Sequence, residues 1–150
     1  MVAEAAAGER VRWGEWSSGQ NDERFDVHAN ATLEVAASGT RILTGDLNLD
    51  NGAALGFNFT DRTTAPVLAL ASGNVVFTQE APTEIAVKVS GSVWPTGGEY
   101  QLTTCGGFGA EGVTVSLITE GVPKWAKRVE VKDGNIVLTV RPMPTVITVR

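Results

Sequence analysis

The sequence contains very little of the chemistry on which most enzyme sites depend. Its 150 residues include one cysteine, Cys105, and one histidine, His28. A single cysteine cannot form an intramolecular disulfide, and it excludes a structural zinc site made mainly of thiolates. A single histidine excludes most metal centres and confines a Ser-His-Asp triad to one position. An enzyme would therefore depend on carboxylates, and we expect a non-enzymatic protein without a cofactor.

Basic residues and long apolar runs are also scarce. The chain has 12 Lys and Arg residues against 17 Asp and Glu residues, for a formal net charge of −5. A nucleic-acid-binding protein needs a basic face to displace counterions from phosphates, so no nucleic-acid partner is expected. The longest apolar candidate, 67–77, is interrupted by Ser72, Gly73 and Asn74, and no membrane span is predicted.

Alternating aliphatic residues, by contrast, are abundant from Arg24 onward. Side chains two residues apart lie on one face of a strand, so each alternating set predicts a strand with one buried and one polar side. The sets are Leu33 and Val35; Ile42 or Leu43 with Leu47 and Leu49; Leu55, Phe57 and Phe59; Ile85, Val87 and Val89; Val113, Val115 and Leu117; Val129 and Val131; Ile136, Leu138 and Val140; and Val146 or Ile147 with Val149. They predict an all-β chain of about ten or eleven short strands.

Glycine-containing turns separate these strands. Asn51-Gly52 and Asp133-Gly134 are two-residue turn signals, because both turn positions need a positive φ that these residues tolerate. We predict a short parallel β-solenoid with an antiparallel hairpin end around Asp133-Gly134; the alternative is an antiparallel β-sandwich. Residues 1–22, rich in alanine and containing Trp13 and Trp16, are interpreted as an N-terminal extension or linker, either a short helix or a docked segment. Residues 23–150 then form a single all-β domain.

A weak internal recurrence favours the solenoid. Residues 39–44, 73–78 and 134–139 share the form Gly, Thr or Asn, any residue, Ile or Val, a large apolar residue, Thr. A turn glycine that repeatedly begins a strand is typical of stacked coils.

Three segments together resemble a known family. These are 43–59, which contains Leu-Gly-Phe-Asn-Phe; 98–103, Gly-Glu-Tyr-Gln-Leu-Thr; and 132–140, which contains Asp-Gly-Asn-Ile-Val-Leu. They are similar to the closing stretch of large bacterial surface proteins with autotransporter-associated β-strand repeats. The resemblance implies an exported passenger region with a parallel β-solenoid body and no catalytic residues. Because this chain has few repeats and a tryptophan-containing amino-terminal segment, we expect a terminal piece or cap.

Two ligand sites can be considered on the residues alone. Asp46, Asn48 and Asp50 supply the alternating oxygen ligands of a calcium loop, but Gly52 is at the seventh position instead of the sixth, and Phe57 stands where such a loop has a glutamate. A polar, solvent-exposed strand face is the favoured interpretation, and a weak calcium site is the alternative. Trp94, Trp125 and Tyr100 could form an aromatic platform that stacks on sugar rings, although buried aromatics also dominate ordinary cores.

Three further features receive structural interpretations. His28 and Asp26 could form a polarised pair, but a half-exposed strand with alternating polar residues is favoured. Cys105 has no candidate base nearby in sequence and is interpreted as a small buried residue. A hydrolase with paired carboxylates would need two acids that face one cleft, which the sequence does not show.

The expected function follows from this architecture. Residues 1–8 lack the basic start and apolar core of a secretory signal, which leaves a cytosolic protein or a piece of a longer exported chain, and the composition favours the second. We expect a structural or capping region at the bacterial cell surface, with adjacent coils or domains of a longer protein as partners. A carbohydrate-binding module that uses Trp94, Trp125 and Tyr100 is the alternative. A self-assembling protein that forms homo-oligomers through edge strands is a lower one.

Overall fold

The computed structural model describes residues 2–13, 24–80, 82–121 and 124–143, and these residues form strands and no helix. The predicted all-β class is confirmed. The fourteen strands are β1 (Val2–Ala5), β2 (Arg10–Trp13), β3 (Arg24–Val27), β4 (Thr32–Val35), β5 (Gly39–Leu43), β6 (Asp46–Leu49), β7 (Ala54–Phe59), β8 (Pro66–Leu70), β9 (Val75–Phe77), β10 (Thr83–Gly91), β11 (Gly98–Gln101), β12 (Val113–Thr119), β13 (Ala126–Lys132) and β14 (Asn135–Val140). The prediction of ten or eleven was too low because strands such as β9 and β11 are too short for alternation to show.

Three sheets are parallel. The first contains β1-β3-β6-β9, the second contains β2-β4-β7-β10-β12, and the third contains β5-β8. A chain segment such as β6, β7 and β8 therefore contributes one strand to each sheet in turn. Among the described residues, only the sheet β11-β14-β13 is antiparallel. The alternative antiparallel β-sandwich is wrong, because eight of the ten strand pairings in the described ranges are parallel.

The first pairings keep a constant register. In the first sheet Arg24 pairs with Val2 on one side and with Asp46 on the other, so both pairings join residues at the same separation in sequence. In the second sheet the pairings of β2 with β4 and of β4 with β7 repeat that separation. The later pairings of β6 with β9 and of β7 with β10 join residues that lie farther apart in sequence. The extra residues lie in the connections, so the strands remain in register.

The same register aligns the turns between the first and second sheets. Gly8, Asn30 and Gly52 follow one another at this spacing and have φ values of 81°, 64° and 89°. The Gly8 amide donates to the Asn30 carbonyl at 2.9 Å, and the Asn30 amide donates to the Gly52 carbonyl at 3.0 Å. Glycine and asparagine tolerate this left-handed conformation best. The turn predicted at Asn51-Gly52 is confirmed, but it joins strands of two different sheets and forms no hairpin.

Aliphatic side chains form columns between the sheets. Val11, Leu33, Leu55, Val87 and Leu117 are successive neighbours across the second sheet. The three inner members are at most 1% exposed, whereas Val11 and Leu117, on the outermost strands, are partly buried. Burial of each such side chain stabilises the folded state by about 1.5–3 kcal/mol. The columns therefore supply the main cohesion between neighbouring strands.

The C-terminal strands reverse direction. β13 and β14 form an antiparallel hairpin whose turn residues Asp133 and Gly134 have φ values of 52° and 78°, so the predicted hairpin is confirmed. β11 pairs with the other side of β14. Just after β11, Thr103 forms a parallel bridge to Leu68 of the third sheet. The third sheet is thereby continued by the antiparallel strands, and we call residues 98–111 and 124–143 the hairpin end.

Some other predictions from the sequence differ from the structure or lie outside the described residues. β1 and β2 fall in the segment interpreted as an extension or linker, yet they pair in parallel with β3 and β4, and residues 2–13 form no helix. Trp16 and the strand predicted at residues 146–149 lie outside the described residues, and the domain boundary at residue 22 stays a prediction. The recurring hexads do not occupy equivalent positions, because Gly39 begins a strand of the third sheet, Gly73 precedes one of the first sheet, and Gly134 lies in the hairpin turn.

Candidate functional site at the hairpin end

Three aromatic rings join the second sheet to the hairpin end. Phe59, at the end of β7, contacts Tyr100 with ring centroids 5.6 Å apart and Trp125 with centroids 5.3 Å apart, both edge to face. Phe59 is fully buried and Trp125 is 5% exposed. A β-carbon at Gly91 would lie 2.8 Å from the Phe59 carbonyl oxygen and 3.2 Å from the Trp125 ring, so the absence of a side chain there allows this packing.

These positions bear on the predicted sugar-binding platform. Trp125 presents no exposed ring face, because it packs on Phe59. Trp94 is half-buried, and its indole Nε1 donates to the Arg141 carbonyl at 3.1 Å. The Tyr100 hydroxyl donates to the Thr96 carbonyl at 2.7 Å. Trp125 is therefore buried in the packing of the hairpin end, whereas Trp94 and Tyr100 are partly exposed and hydrogen-bonded to backbone carbonyls.

A second aromatic contact lies under the first sheet. Phe108, in the loop after β11, is fully buried, and its ring centroid is 6.2 Å from that of Phe77 in β9. Its amide donates to the Gly134 carbonyl at 2.9 Å, which links the loop to the hairpin turn. Phe108 was not predicted from the sequence. The available signal was a large apolar side chain within a glycine-rich loop, 106–109, where solvent exposure would be costly.

Buried hydrogen bonds connect the same loop to β14. Thr103 is fully buried, and its hydroxyl oxygen accepts a hydrogen bond from the Ile136 amide at 2.9 Å. The Asn135 Oδ1 atom accepts the Thr103 hydroxyl at 3.2 Å and the Gly106 amide at 2.7 Å. Each polar group of this cluster has a partner, as buried polar groups require. The cluster orients the loop that carries Phe108.

The predicted calcium residues lie where the strand pattern places them. Asp46, Asn48 and Asp50 follow one face of β6, and Leu47 and Leu49 are fully buried on the opposite face. The polar face predicted as the favoured interpretation is present. Within the described ranges, no group of three or more His, Cys, Asp or Glu side chains could hold a metal ion.

The polar atoms of these residues contact neighbouring strands instead. Asp46 Oδ1 accepts the Asn74 amide at 2.8 Å. The Asn48 amide Nδ2 donates to Asp26 Oδ1 at 2.9 Å. These bonds run from one strand of the first sheet to the next and are typical of polar ladders along a sheet face. The outer polar atoms therefore reinforce strand pairing.

His28 lies between two carboxylates, that of Glu4 in β1 and that of Asp50 just after β6. Its Nε2 atom is 2.9 Å from Glu4 Oε2, and its Nδ1 atom is 3.2 Å from Asp50 Oδ2. An ionised carboxylate only accepts hydrogen bonds, so the imidazole must be protonated to donate at both nitrogens. The hydrogen bonds from Glu4 and Asp50 accordingly raise the His28 pKa above its ordinary value. Asp26, the partner considered from the sequence, bonds to Asn48.

A charged network covers the outer face of the second sheet. Glu34 is only 3% exposed and pairs with Arg10 at 2.9 Å and Arg12 at 3.1 Å. Arg10 also forms an ion pair with Glu120, which raises the Arg10 pKa and lowers that of Glu120. A β-carbon on Gly56 would lie 3.0 Å from the Glu34 side chain, so the glycine leaves room for it. Glu34 is thus satisfied by structural ion pairs.

Two surface clefts show no catalytic arrangement. One, of about 270 Å³, lies over Ala54, Ala86 and Ile118. The other, of about 310 Å³, lies beside the hairpin turn, where Lys132 Nζ binds Glu99 Oε2 at 2.5 Å and has a raised pKa as a result. Cys105 is half-buried, and burial raises the pKa of its thiol. A raised pKa reduces the thiolate fraction, so this thiol is a poor nucleophile.

Comparison with known proteins found no matching family model, no matching curated protein and no matching solved structure. No helix suited to crossing a bilayer occurs in the part of the chain that the structure describes.

Proposed function

We propose that the three parallel sheets form a short β-solenoid. The constant sequence separation in the pairings of β1 with β3 and of β3 with β6 supports this proposal. So do the equal separation in the second sheet and the passage of successive strands through the sheets in turn. In a solenoid each coil contacts mainly its neighbours, and aliphatic columns hold the coils together. The fully buried column members Leu55 and Leu49 fit that arrangement.

On this architecture we propose a non-enzymatic structural role: the chain is a capping region of an exported bacterial surface protein, similar to an autotransporter passenger. The carrying observation is the antiparallel hairpin that continues the third sheet through the bridge between Leu68 and Thr103. On the far side of β11 the sheet continues with β14, which runs in the opposite direction, and β13 forms the outer edge. The hairpin thereby takes the place of a further parallel coil on the third sheet.

β13, the outer strand of the hairpin end, is also protected against pairing with other chains. β13 contains four charged residues, and its register shifts between Ala126 and Arg128, which indicates a bulge. Lys127 and Arg128 are both exposed next to this bulge. Charged side chains and bulges prevent an edge strand from pairing with other chains. These features support a cap at this end of the third sheet.

Cell-surface location can be tested directly with antibodies against the purified full chain. On intact cells of the bacterium that encodes the protein, the antibodies are expected to bind without permeabilisation. Antibodies against a cytoplasmic protein serve as the control and should bind only after permeabilisation. Labelling that appears only in permeabilised cells would contradict the surface role.

The cap can be tested by removing the charges of β13. We expect the quadruple variant K127T/R128T/E130T/K132T to form higher oligomers in sedimentation velocity, because the charges that protect the edge are lost. The matched control changes Lys124 and Arg141 to Thr, which lie outside the strands of the hairpin. An unchanged oligomer distribution for the quadruple variant would contradict the protective role of β13.

A further inference from the structure

The edge strands of the described sheets differ greatly in how well they are protected against pairing with another chain. β13 carries four charges and a bulge, β2 carries Arg10 and Arg12, β1 carries Glu4, and β5 carries Arg41. β9 has only three residues. β12, in contrast, has seven residues, Val-Thr-Val-Ser-Leu-Ile-Thr, and no charge. A long, uncharged, β-branched edge strand is a template for pairing with another chain.

The backbone of β12 shows which groups are free to pair. Gly112 accepts a hydrogen bond from Thr83 of β10, and Glu120 donates one to Val89 of β10. Peptide groups of alternate residues in a strand point in opposite directions, so residues 112, 114, 116, 118 and 120 face β10. The N–H and C=O groups of Val113, Val115, Leu117 and Thr119 then face the other edge, and of these the Val113 amide already donates to the Ala110 carbonyl at 3.1 Å. No strand in the described ranges pairs with that edge; β13 approaches β12 without pairing with it.

We propose that this edge of β12 pairs antiparallel with the same edge of a second copy of the chain. With a two-fold axis at Ser116, Val113 lies opposite Thr119 and Val115 lies opposite Leu117 of the second copy. The backbone groups of Val115 and Leu117 face this edge, so each pair of these two residues exchanges two N–H···O bonds. The Thr119 amide donates to the Val113 carbonyl of the second copy, whereas the Val113 amide keeps its bond to the Ala110 carbonyl. An isologous contact of this kind closes as a dimer, because each copy uses its single edge once.

The side chains favour the same register. Val115 and Leu117 are only partly buried against the core of one copy, and the pairing brings them side by side across the dimer. On the outer face Ile118, which is 43% exposed, lies opposite Thr114. Apolar and β-branched cross-strand pairs stabilise antiparallel sheets, and an uncharged strand brings no like charges together. A second copy therefore fits this edge in direction, hydrogen bonding and side-chain character.

Sedimentation velocity of the full chain over a range of concentrations tests the proposal, with a monomer–dimer equilibrium as the expected result. Ser116→Lys brings two like charges together at the axis, and we expect the dimer dissociation constant to rise at least about tenfold, or by about 1.4 kcal/mol. The control Thr40→Lys adds the same charge at an exposed position of the third sheet and should leave the equilibrium unchanged.

Amide hydrogen exchange provides a second measurement that does not depend on a variant. At high concentration, exchange at Val115 and Leu117 should slow, while exchange at Thr114 should not change. A monomer at all concentrations, or concentration-independent protection of Val115 and Leu117 by another segment of the same chain, would overturn the proposal. Either result would leave the surface role, which the antibody experiment tests, unaffected.

Discussion

The parallel sheets and the hairpin end are stabilised in different ways. In the parallel sheets the same contacts recur from strand to strand: an aliphatic column such as Leu33, Leu55 and Val87, and a turn column such as Asn30 and Gly52. At the hairpin end each main contact occurs once: the Phe59–Trp125 and Phe77–Phe108 ring contacts, and the hydrogen bonds of Thr103.

This difference has a consequence for mutations. In a repeated column, neighbouring strands supply several similar contacts, and the free energy of unfolding is distributed among them. At the hairpin end a single side chain connects elements that are distant in sequence, such as β9 and the loop before β12. We therefore expect individual substitutions there to have effects on the whole molecule.

The largest expected effect is that of Phe108→Ala. The ring is fully buried against Phe77, and its removal leaves a cavity under the first sheet. We expect the free energy of unfolding to fall by about 4 kcal/mol, measured by urea denaturation. Met143→Ala, at a side chain 49% exposed, is the control and should change it by less than about 0.5 kcal/mol. A loss below about 1 kcal/mol for Phe108→Ala would contradict the expectation that a single side chain at the hairpin end stabilises the whole molecule.

A strong effect within the parallel sheets is expected at Gly73. A β-carbon there would lie 2.2 Å from the Gly45 carbonyl oxygen on the neighbouring strand connection, so the backbone would have to move. We expect Gly73→Ala to lower the free energy of unfolding by about 3 kcal/mol. The adjacent Ser72→Ala loses only an exposed hydrogen bond to the Thr44 carbonyl and should cost less than about 1 kcal/mol. Equal effects of both changes would contradict the close approach.

The polar cluster of the hairpin end should have an intermediate effect. Thr103→Val keeps the shape of the side chain but leaves the buried Ile136 amide without its acceptor. We expect a loss of about 2 kcal/mol in thermal or urea unfolding. Thr104→Val, at the exposed neighbouring position, should be nearly neutral. If the two variants had the same stability, the Thr103 hydrogen bonds would not orient the loop.

The smallest effect concerns pH and the first sheet. Because the His28 pKa is raised in the folded state, its contribution to stability is complete below the ordinary value of 6.5 and is lost as the pH rises through the folded pKa. His28 is 39% exposed, so we expect a decrease of well under about 1 kcal/mol. Urea denaturation at several pH values measures it. His28→Gln should remove this pH dependence, and a profile unchanged by the substitution would contradict the ion pairs.

The sequence predicted the features that depend on local patterns. Alternation at Leu47 and Leu49 correctly indicated a strand with one buried face, and Asp133-Gly134 correctly indicated a hairpin. Parallel pairing agrees with the sheets of the predicted solenoid. The constant separation between paired residues was missed because many aligned residues, such as Phe25 with Leu47 and Val35 with Phe57, share only apolar character and differ in identity.

The hairpin end was predicted less well because its contacts are non-local. Trp125 and Tyr100 were considered as exposed rings, but their burial depends on Phe59, which is distant from both in sequence. His28, just after β3, likewise contacts Glu4 of β1 and Asp50 just after β6 rather than Asp26, two residues before it. Only the register of the sheets brings these partners together.

Site-resolved amide hydrogen exchange of the native protein and of Phe108→Ala tests most directly whether the hairpin end closes the parallel sheets. If it does, the free energy of exchange should fall by a similar amount at Leu138 in the hairpin and at Leu55 and Val87 in the second sheet, because the two regions unfold together. Reduced protection at Leu138 with unchanged protection at Leu55 and Val87 would show that the hairpin end is an independent appendage and would contradict the account.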